Sequence, residues 1–314
     1  MIYILIIALL FIAELIYFRI ADRYNIIDRP NERSSHTQIT RRGGGVIFWV
    51  AATLYVVFKP TEWSLWFGAG ITLMAGVSFL DDIKGVDPKT RLAVQLLAMT
   101  CAFFAVGVFG TYPWWAIILA YIFFIGSINA YNFMDGINGI TGLYSIAVLL
   151  SLMWVNYYVQ AFIDGDFLRY PFLALLVFLF FNFRKKAICF AGDIGSTSIA
   201  FWIVTALIVL IIKTQNLIWI GFLLVYGVDT VCTILHRIYL KQNIMKAHRL
   251  HFFQILANEC KMPHQWVSVI YALVQLACSA AIIAFYPAMG WCIFGILALV
   301  LVAIYGLKFR LMKK

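Results

Sequence analysis

The chain is divided by apolar runs that are long enough, or nearly long enough, to cross the hydrocarbon core of a lipid bilayer. Crossing about 30 Å of hydrocarbon takes about 20 residues, and fewer where flanking side chains reach back to the interface. The runs cover approximately residues 1–20, 44–59, 63–80, 92–110, 114–131, 139–158, 170–183, 196–213, 217–235, 266–286 and 289–307. Because 64% of the 314 residues are hydrophobic and only 12% are charged, a soluble fold is not expected. The sequence predicts an all-α, polytopic bundle with about 11 spans (10–11), of which the second and seventh are short.

The basic residues predict which side of the membrane each loop faces. If Arg19, at the boundary of the first run, is counted with the loop that follows, all but three of the 24 lysines and arginines fall in alternate connections or in the C-terminal tail. The exceptions are Lys59, Arg169 and Lys213. Positive charge accumulates on the cytoplasmic side, so the N-terminus is predicted outside and the C-terminus in the cytoplasm. The predicted cytoplasmic loops are about 21–43, 81–91, 132–138, 184–195 and 236–265, within a single integral membrane domain over residues 1–314. This topology, rather than nucleic-acid binding, explains the net charge of +10.

Side chains that can carry chemistry collect on the predicted cytoplasmic side. All five histidines lie there, together with most of the acidic residues. A transporter is expected to carry ionisable groups along a pathway near the middle of the bilayer. The interiors of the predicted spans contain only two charged residues, Glu14 and, near one end, Asp229. The sequence therefore favours chemistry at the membrane surface, with a transporter or lipid flippase as the alternative.

A polar cluster closes the fifth span, where the surrounding residues are almost all apolar. Asn129, Asn132 and Asp135 recur at every third position, so on a helix they share one face. Gly136 follows directly and allows a sharp exit from the helix. The cluster predicts a binding face at the membrane surface. The alternative is a polar helix end that turns into a glycine loop.

Two acidic motifs lie at other span ends. Asp81 and Asp82 end the third span, and adjacent carboxylates are expected where a divalent cation or a proton is held. An ordinary acidic loop paired with Lys84 is the alternative. Asp193 lies in a Gly-Asp-Ile-Gly-Ser stretch that opens the eighth span. It is either the N-cap of that helix or a magnesium ligand beside backbone N–H groups that meet phosphate.

A histidine motif lies in the longest predicted cytoplasmic loop. His248, Arg249 and His251 suit the binding of a diphosphate, because arginine binds it in a bidentate manner and imidazolium adds positive charge. A zinc-binding histidine pair and a polar helix at the membrane surface are the alternatives.

Three consecutive glycines follow an arginine in the first predicted loop. Arg42 precedes Gly43, Gly44 and Gly45, and successive backbone N–H groups of this kind can form a concave nest for a phosphate. A flexible turn with basic anchoring explains the arginine equally well, but it does not explain the glycines. With the acidic and histidine motifs, the sequence predicts a site that handles a nucleotide diphosphate with a metal ion.

These motifs resemble, in order and spacing, the polyprenyl-phosphate N-acetylhexosamine-1-phosphate transferases, the MraY/WecA-type members of glycosyltransferase family 4. The matching segments are Pro30-Asn31-Glu32-Arg33-Ser34-Ser35-His36, Arg42-Gly43-Gly44-Gly45, Leu80-Asp81-Asp82, Asn129-x-x-Asn132-Phe133-x-Asp135-Gly136, Gly192-Asp193-x-Gly195-Ser196 and His248-Arg249-x-His251. The resemblance implies transfer of a sugar-1-phosphate from a UDP-N-acetylhexosamine to undecaprenyl phosphate. It also implies Mg²⁺, with Mn²⁺ as an alternative cation, and release of UMP.

The resemblance also implies roles for individual residues. Asp193 would be the main magnesium ligand, assisted by Asp82, and Asp81 and Asp82 would activate the lipid phosphate. The implied catalytic set is Asp81, Asp82, Asp135 and Asp193, and the implied substrate-binding set is Asn129, Asn132, His248, Arg249, His251, Arg42 and Gly44. On this basis Asp193→Asn and Asp82→Asn are each predicted to abolish turnover with expression intact. Direct attack by the lipid phosphate and a covalent aspartyl intermediate both stay open, as does a homodimer.

Two departures from the family pattern bear on the polymer that is built. Asn138 stands where many members have a second aspartate, which predicts that Asn138→Asp is tolerated. The histidine segment reads H-R-x-H-F-F-Q, with Phe253, rather than H-x-H-H. The resemblance then favours initiation of O-antigen or capsule-type polysaccharide, in the bacterial inner membrane with the site on the cytoplasmic face. A phospho-MurNAc-pentapeptide transferase of peptidoglycan synthesis is the alternative.

Overall fold

A computed structural model describes residues 2–29, 38–243 and 248–312 of the chain. The long helices are α1 (Ile2–Arg23), α2 (Val46–Phe58), α3 (Glu62–Lys84), α4 (Pro88–Val106), α5 (Trp114–Met134), α6 (Ile140–Trp154), α7 (Gly165–Asn182), α8 (Gly192–Thr214), α9 (Leu224–Tyr239), α11 (His264–Met289) and α12 (Cys292–Gly306). The short helices are α10 (Phe252–Gln254) and α13 (Lys308–Leu311). Two short strands, β1 (Ile27–Asp28) and β2 (Thr40–Arg41), pair antiparallel.

The helices confirm the predicted all-α, polytopic class. Among the described residues, ten helical segments are long and apolar enough to cross a membrane. The one predicted run that is not among these ten is the second, 44–59, which forms α2 and has only 13 residues. The seventh span starts earlier than predicted, at Gly165, because the polar residues of its first turn are paired: Arg169 Nη1 lies 2.8 Å from Asp166 Oδ1. The side that each loop faces stays a prediction.

Helix α8 lies at the centre of the bundle. It packs against α2, α3 and α5, and the whole stretch 194–208 is buried. A helix that is apolar on all sides is expected inside the bundle rather than at its surface. Small residues in its first turns, among them Gly195 and Ser196, let neighbouring backbones come close. The start of α8 is therefore where several chain segments meet.

The glycines of the first loop pack directly on the turn before α8. Gly44 N–H donates to Phe190 O at 2.8 Å, and Gly45 N–H donates to Ala191 O at 3.0 Å. Gly43 has a φ of +81°, a conformation that favours glycine. A Cβ on Gly45 would lie 2.1 Å from the Cα of Gly195. The glycines thus allow a contact between two backbones that no larger residue permits.

We expect Gly45→Ala to destabilise the protein strongly, because the new methyl group meets backbone atoms of α8 that cannot move aside. Thermal unfolding in detergent, followed by loss of monodisperse protein, measures the effect. Gly76→Ala is the matched control, since no heavy atom of the described chain lies within 4 Å of the position its Cβ would take. Equal melting temperatures for both variants would contradict the close packing of Gly45 on Gly195.

Candidate active site

An open cavity of about 220 Å³ lies at the end of the bundle where α5 and α7 end and α8 begins. Four of the residues predicted for the site line it together, although they come from three separate parts of the chain. They are Arg42, Asn132, Asp135 and Asp193. The fold thus brings together the first loop, the polar end of α5 and the turn before α8.

Arg42 links two carboxylates at the edge of this cavity. Its Nε lies 2.6 Å from Asp82 Oδ1, and its Nη2 lies 3.3 Å from Asp193 Oδ1. Burial by itself lowers the pKa of the Arg42 guanidinium, but the two carboxylates outweigh it and raise that pKa above its usual value. Arg42 therefore supplies a permanent positive charge beside the acidic residues.

The Asp82 side chain binds the backbone at the start of α8. Its side chain is 0% exposed, and its two oxygens accept hydrogen bonds from Asp193 N–H at 2.9 Å and Ile194 N–H at 3.0 Å. A carboxylate in this position satisfies unpaired N–H groups of the first helical turn and interacts well with the positive end of the helix dipole. Asp82, a residue of α3, thus caps the N-terminus of α8 in place of an N-cap residue of α8 itself. The predicted role of Asp82 as an assisting metal ligand competes with these bonds.

Asp193 is not the N-cap of α8, which was the alternative to its prediction as a magnesium ligand. Helix α8 begins one residue earlier, at Gly192, and the N–H groups of its first turn are met by Asp82. The Asp193 side chain is 23% exposed at the cavity. It is therefore the acidic side chain at the start of α8 that can meet a ligand.

Asp81 lies on the other side of Asp193, away from the cavity. It accepts from Val86 N–H at 2.7 Å and from Arg91 Nη1 at 2.8 Å, and the same Arg91 nitrogen is 3.9 Å from Asp193 Oδ2. Its partner is thus Arg91 and not Lys84. Asp193 has an arginine on each side, which sequence reasoning did not anticipate.

Asp135 presents a carboxyl group on the cavity wall. Thr141 Oγ1 donates to its Oδ1 at 2.7 Å, and α5 ends just before it, at Met134. Burial raises the pKa of the Asp135 carboxyl to about 7; the Thr141 hydrogen bond opposes this rise, and the charges of Asp193 and Asp82 add to it. A carboxyl group with a pKa near neutrality can both accept and return a proton at physiological pH.

The predicted three-residue face of α5 is only partly at the cavity. Asn132 lines it and donates through Nδ2 to Ser196 Oγ at 3.1 Å. Asn129 lies one turn earlier, and its amide donates to Ile125 O of its own helix at 2.8 Å. Asn129 therefore has a local partner and is not among the residues that line the cavity.

Gly44 does not form part of an open anion-binding nest, contrary to the prediction from the sequence. Its N–H and that of Gly45 point to carbonyl oxygens of the segment before α8 rather than to open space. A Cβ on Gly44 would lie 2.6 Å from Cys189 Sγ. The physical reason for the glycine run is close packing, and these two N–H groups are already used.

The histidine segment reaches the cavity through Gln254 rather than through its histidines. His251 is 2% exposed and pairs with Asp229. His248 is partly buried, and burial, with His251 next to it, lowers its pKa to about 4. At neutral pH His248 is thus uncharged, contrary to the expected imidazolium. Arg249 is also partly buried, and the motif 30–36 lies outside the described residues.

Asn182 was missed by the sequence reasoning although it lines the cavity. Its Oδ1 accepts from Gly139 N–H at 2.7 Å, and its Nδ2 donates to Cys189 O at 2.8 Å. It thereby ties the loop after α5 to the segment before α8. A signal was present, because Asn182 is an isolated amide in an apolar run, as Asn132 is.

Asn138 also has a structural partner, which changes the expectation for Asn138→Asp. Its Nδ2 donates to Arg184 O at 2.8 Å, and the residue is 5% exposed. A carboxylate cannot donate and would face a carbonyl oxygen, so we expect a loss of about 1–3 kcal/mol in stability. Thermal unfolding of the variant in detergent measures this. An unchanged melting temperature would restore the prediction that the substitution is tolerated.

The acidic residues fit a magnesium ion that takes some of its ligands from the protein and the others from water and a substrate. Among the described residues, no group of three or more His, Cys, Asp or Glu side chains is arranged to hold a metal ion. Mg²⁺ usually takes one or two carboxylates and completes its shell with water and substrate phosphates. Asp193, with the amide of Asn132 on the same cavity, offers such a donor set. A cation held by protein ligands alone does not fit the residues that the structure describes.

Comparison with known proteins gives one family and several relatives. The family model described as glycosyl transferase family 4 matches residues 64–211. The chain is 26% identical over 292 residues to a probable undecaprenyl-phosphate N-acetylglucosaminyl 1-phosphate transferase of Bacillus subtilis, covering 84% of this chain and 79% of that protein. It is 29% identical over 225 residues to a phospho-N-acetylmuramoyl-pentapeptide-transferase of Streptococcus agalactiae, covering 60% of this chain and 64% of that protein. The latter alignment spans less than two thirds of the streptococcal protein.

Proposed function

We propose a reaction for this chain from the premise that it belongs to glycosyl transferase family 4. It is a multi-pass membrane enzyme that transfers a sugar phosphate to a polyprenyl phosphate. The specific reaction that we propose is transfer of a HexNAc-1-phosphate from a UDP-N-acetylhexosamine to undecaprenyl phosphate, with release of UMP. The product starts the assembly of an O-antigen or capsule-type surface polysaccharide.

Two features support a simple HexNAc donor over the UDP-MurNAc-pentapeptide of peptidoglycan synthesis. The similarity to the Bacillus subtilis relative extends over more of this chain than the similarity to the muramoyl-pentapeptide transferases. The segment His248-Arg249-x-His251 also departs from the H-x-H-H pattern of the latter enzymes.

The observation that carries the proposal is the meeting of Arg42, Asp193 and Asp135 at one cavity. Phosphoryl transfer needs little covalent chemistry from the protein; it needs positioned charges and an in-line arrangement of the reacting oxygens. The Arg42 guanidinium can neutralise a phosphate oxygen, and the cavity is open to solvent for a nucleotide sugar. These three side chains come from sequence positions far apart, so their convergence is a property of the fold.

In the proposed mechanism an oxygen of the lipid phosphate forms a bond to the phosphorus that carries the sugar. The bond from that phosphorus to the oxygen bridging the two donor phosphates breaks, and UMP leaves with the electron pair. Asp135, with its pKa of about 7, accepts the proton of the incoming phosphate. Arg42 balances the charge that develops on the transferring group.

Asp193 is the residue that we propose to hold Mg²⁺, with Asn132 beside it. A bound Mg²⁺ neutralises phosphate charge and orients the reacting oxygens. Asp82 contributes indirectly, because it holds the backbone of Asp193 and the side chain of Arg42 in place. We also propose that the cavity faces the cytoplasm at a bacterial inner membrane, as the basic residues of the loops predict.

A transfer assay tests the reaction and identifies the sugar. Purified protein in detergent receives undecaprenyl phosphate and one radiolabelled donor from a panel of UDP-HexNAc compounds and UDP-MurNAc-pentapeptide. Each reaction is run with Mg²⁺, with Mn²⁺ and with EDTA. We expect label in the lipid fraction, matched by UMP release, with a HexNAc donor and a divalent cation only.

The possible results separate the alternatives. Label from UDP-MurNAc-pentapeptide alone would replace the proposed substrate by that of peptidoglycan synthesis. Undiminished transfer in EDTA would remove Mg²⁺ from the mechanism. No lipid product from any donor, with folded protein and an active control enzyme, would overturn the proposed function.

A further inference from the structure

A buried polar cluster lies behind the histidine segment, outside the cavity. Its members are Asp229 of α9, His251 and Tyr271 of α11, and each of them is at most 5% exposed. Buried charged groups are costly unless each is paired and hydrogen-bonded. The proposed mechanism does not use this cluster, so the cluster needs an explanation of its own. The role that we assign to it rests on the proposed function.

Asp229 accepts hydrogen bonds from several donors at once. Its Oδ1 lies 3.1 Å from His251 Nδ1, and it accepts from Phe252 N–H at 3.1 Å and from Thr233 Oγ1 at 3.2 Å. Its Oδ2 accepts from Tyr271 Oη at 2.6 Å. A carboxylate with this number of donors is ionised, because only the ionised form offers acceptors alone.

These contacts determine which ring nitrogen of His251 carries the proton. The ionised Asp229 cannot donate, so His251 Nδ1 must be the protonated nitrogen in the contact between them. His251 Nε2 is buried and has no hydrogen-bond partner among the residues that the structure describes. It is thus an unused polar atom in a segment that the sequence predicts to bind substrate.

The same segment is joined to the cavity. Gln254 Oε1 accepts from His251 N–H at 3.2 Å, and Gln254 lines the cavity. Phe253 packs so closely on Gly136 that a Cβ there would lie 2.9 Å from its ring. At the other end, Lys308 Nζ donates to Leu250 O. Asp229 is therefore connected, through His251 and Gln254, to the wall of the cavity.

We propose that Asp229 is a positioning residue: it holds the His251 ring in the Nδ1–H tautomer and so fixes the residue whose backbone N–H binds Gln254, which lines the cavity that takes the nucleotide-sugar donor. Residues that orient a functional histidine through its second nitrogen commonly change activity by about 10–100-fold when they are replaced. Asp229 does not touch the substrate in this scheme; it acts through His251.

The first test reads the tautomer in the wild-type protein. Protein labelled with ¹⁵N-histidine in detergent micelles gives ring nitrogen signals that distinguish protonated from unprotonated nitrogens, and the His251→Gln variant assigns the signals of His251. We expect the proton on Nδ1. A proton on Nε2 with Nδ1 bare would overturn the proposal. This measurement needs no turnover, so it stands even if the proposed reaction fails.

The second test is kinetic. Asp229→Asn places an amide where the carboxylate was, and its N–H₂ group favours a bare Nδ1 and a protonated Nε2. We expect kcat to fall by about 10–100-fold with a small change in the KM for the donor, because the His251 ring is then held in the wrong tautomer and no longer fixes Gln254 at the cavity wall. The double variant Asp229→Asn/His251→Gln should be no slower than the slower single variant.

Thr230→Val is the matched control for the kinetic test. Thr230 is the next residue on α9, is 6% exposed, and its hydroxyl has no hydrogen-bond partner in the described part of the chain. We expect its kcat and melting temperature to match the wild type. A folded Asp229→Asn protein with kcat within twofold of the wild type would overturn the proposal, as would independent, multiplicative effects of the two single variants. If Asp229→Asn does not fold, the tautomer of His251 measured in the wild-type protein is the test of the proposal.

Discussion

Asp193→Asn is expected to lower turnover by about 10²–10³-fold while the protein keeps its fold, the scale of loss seen when one group that stabilises a transition state is removed. Asparagine has nearly the same size and removes only the negative charge. That charge faces the cavity, and the turn that begins α8 is held by Asp82 instead. The measurement is the rate of UMP release in detergent, with thermal unfolding recorded on the same preparations.

Asp166→Asn is the matched control for this prediction. Asp166 also lies in the first turn of a helix, α7, and also pairs with an arginine, at 2.8 Å. It is not among the residues that line the cavity. We expect its turnover to stay near the wild-type value. Residual turnover above about one tenth in Asp193→Asn would remove Asp193 from its proposed place at the reaction centre.

Asp82→Asn is expected to lose stability as well as turnover. Asparagine can accept one of the two backbone N–H bonds, but its amide nitrogen then opposes the other N–H group, and Arg42 loses its nearest carboxylate. Leaving a buried N–H donor without its partner costs about 1–3 kcal/mol. The structure thereby adds a loss of stability to the loss of turnover that the sequence predicts for this variant. Thermal unfolding separates the two outcomes.

Asp22→Asn provides the comparison for that stability measurement. Asp22 also pairs with an arginine, since Arg41 Nε lies 2.7 Å from its Oδ1, but the side chain of Asp22 is 54% exposed. An exposed pair is worth about 0–1 kcal/mol, so the melting temperature should move little. If Asp82→Asn unfolds at the same temperature as Asp22→Asn, the capping of α8 by Asp82 contributes nothing measurable.

Much of the fold could be predicted from the sequence, because a membrane span is a local property. Each of the apolar runs coincides with one helix, and the short second run became the 13-residue α2. The four residues Arg42, Asn132, Asp135 and Asp193 could be chosen as well, because polar side chains at the ends of apolar runs stand out against their neighbours. Asn182 carried the same signal and was overlooked.

The partners of these residues could not be predicted in the same way. Whether Asp193 caps α8 or faces a ligand depends on Asp82, a residue 111 positions away in the chain. Whether the glycines of the first loop bind an anion or pack on a backbone depends on Gly195, and the tautomer of His251 depends on Asp229. The sequence by itself determined the spans and the polar residues at their ends, since hydropathy acts within one segment. Only the tertiary structure decided which of those residues are already hydrogen-bonded or packed against other residues and which face the cavity. Such a hydrogen bond or backbone contact requires two distant segments of the chain to meet.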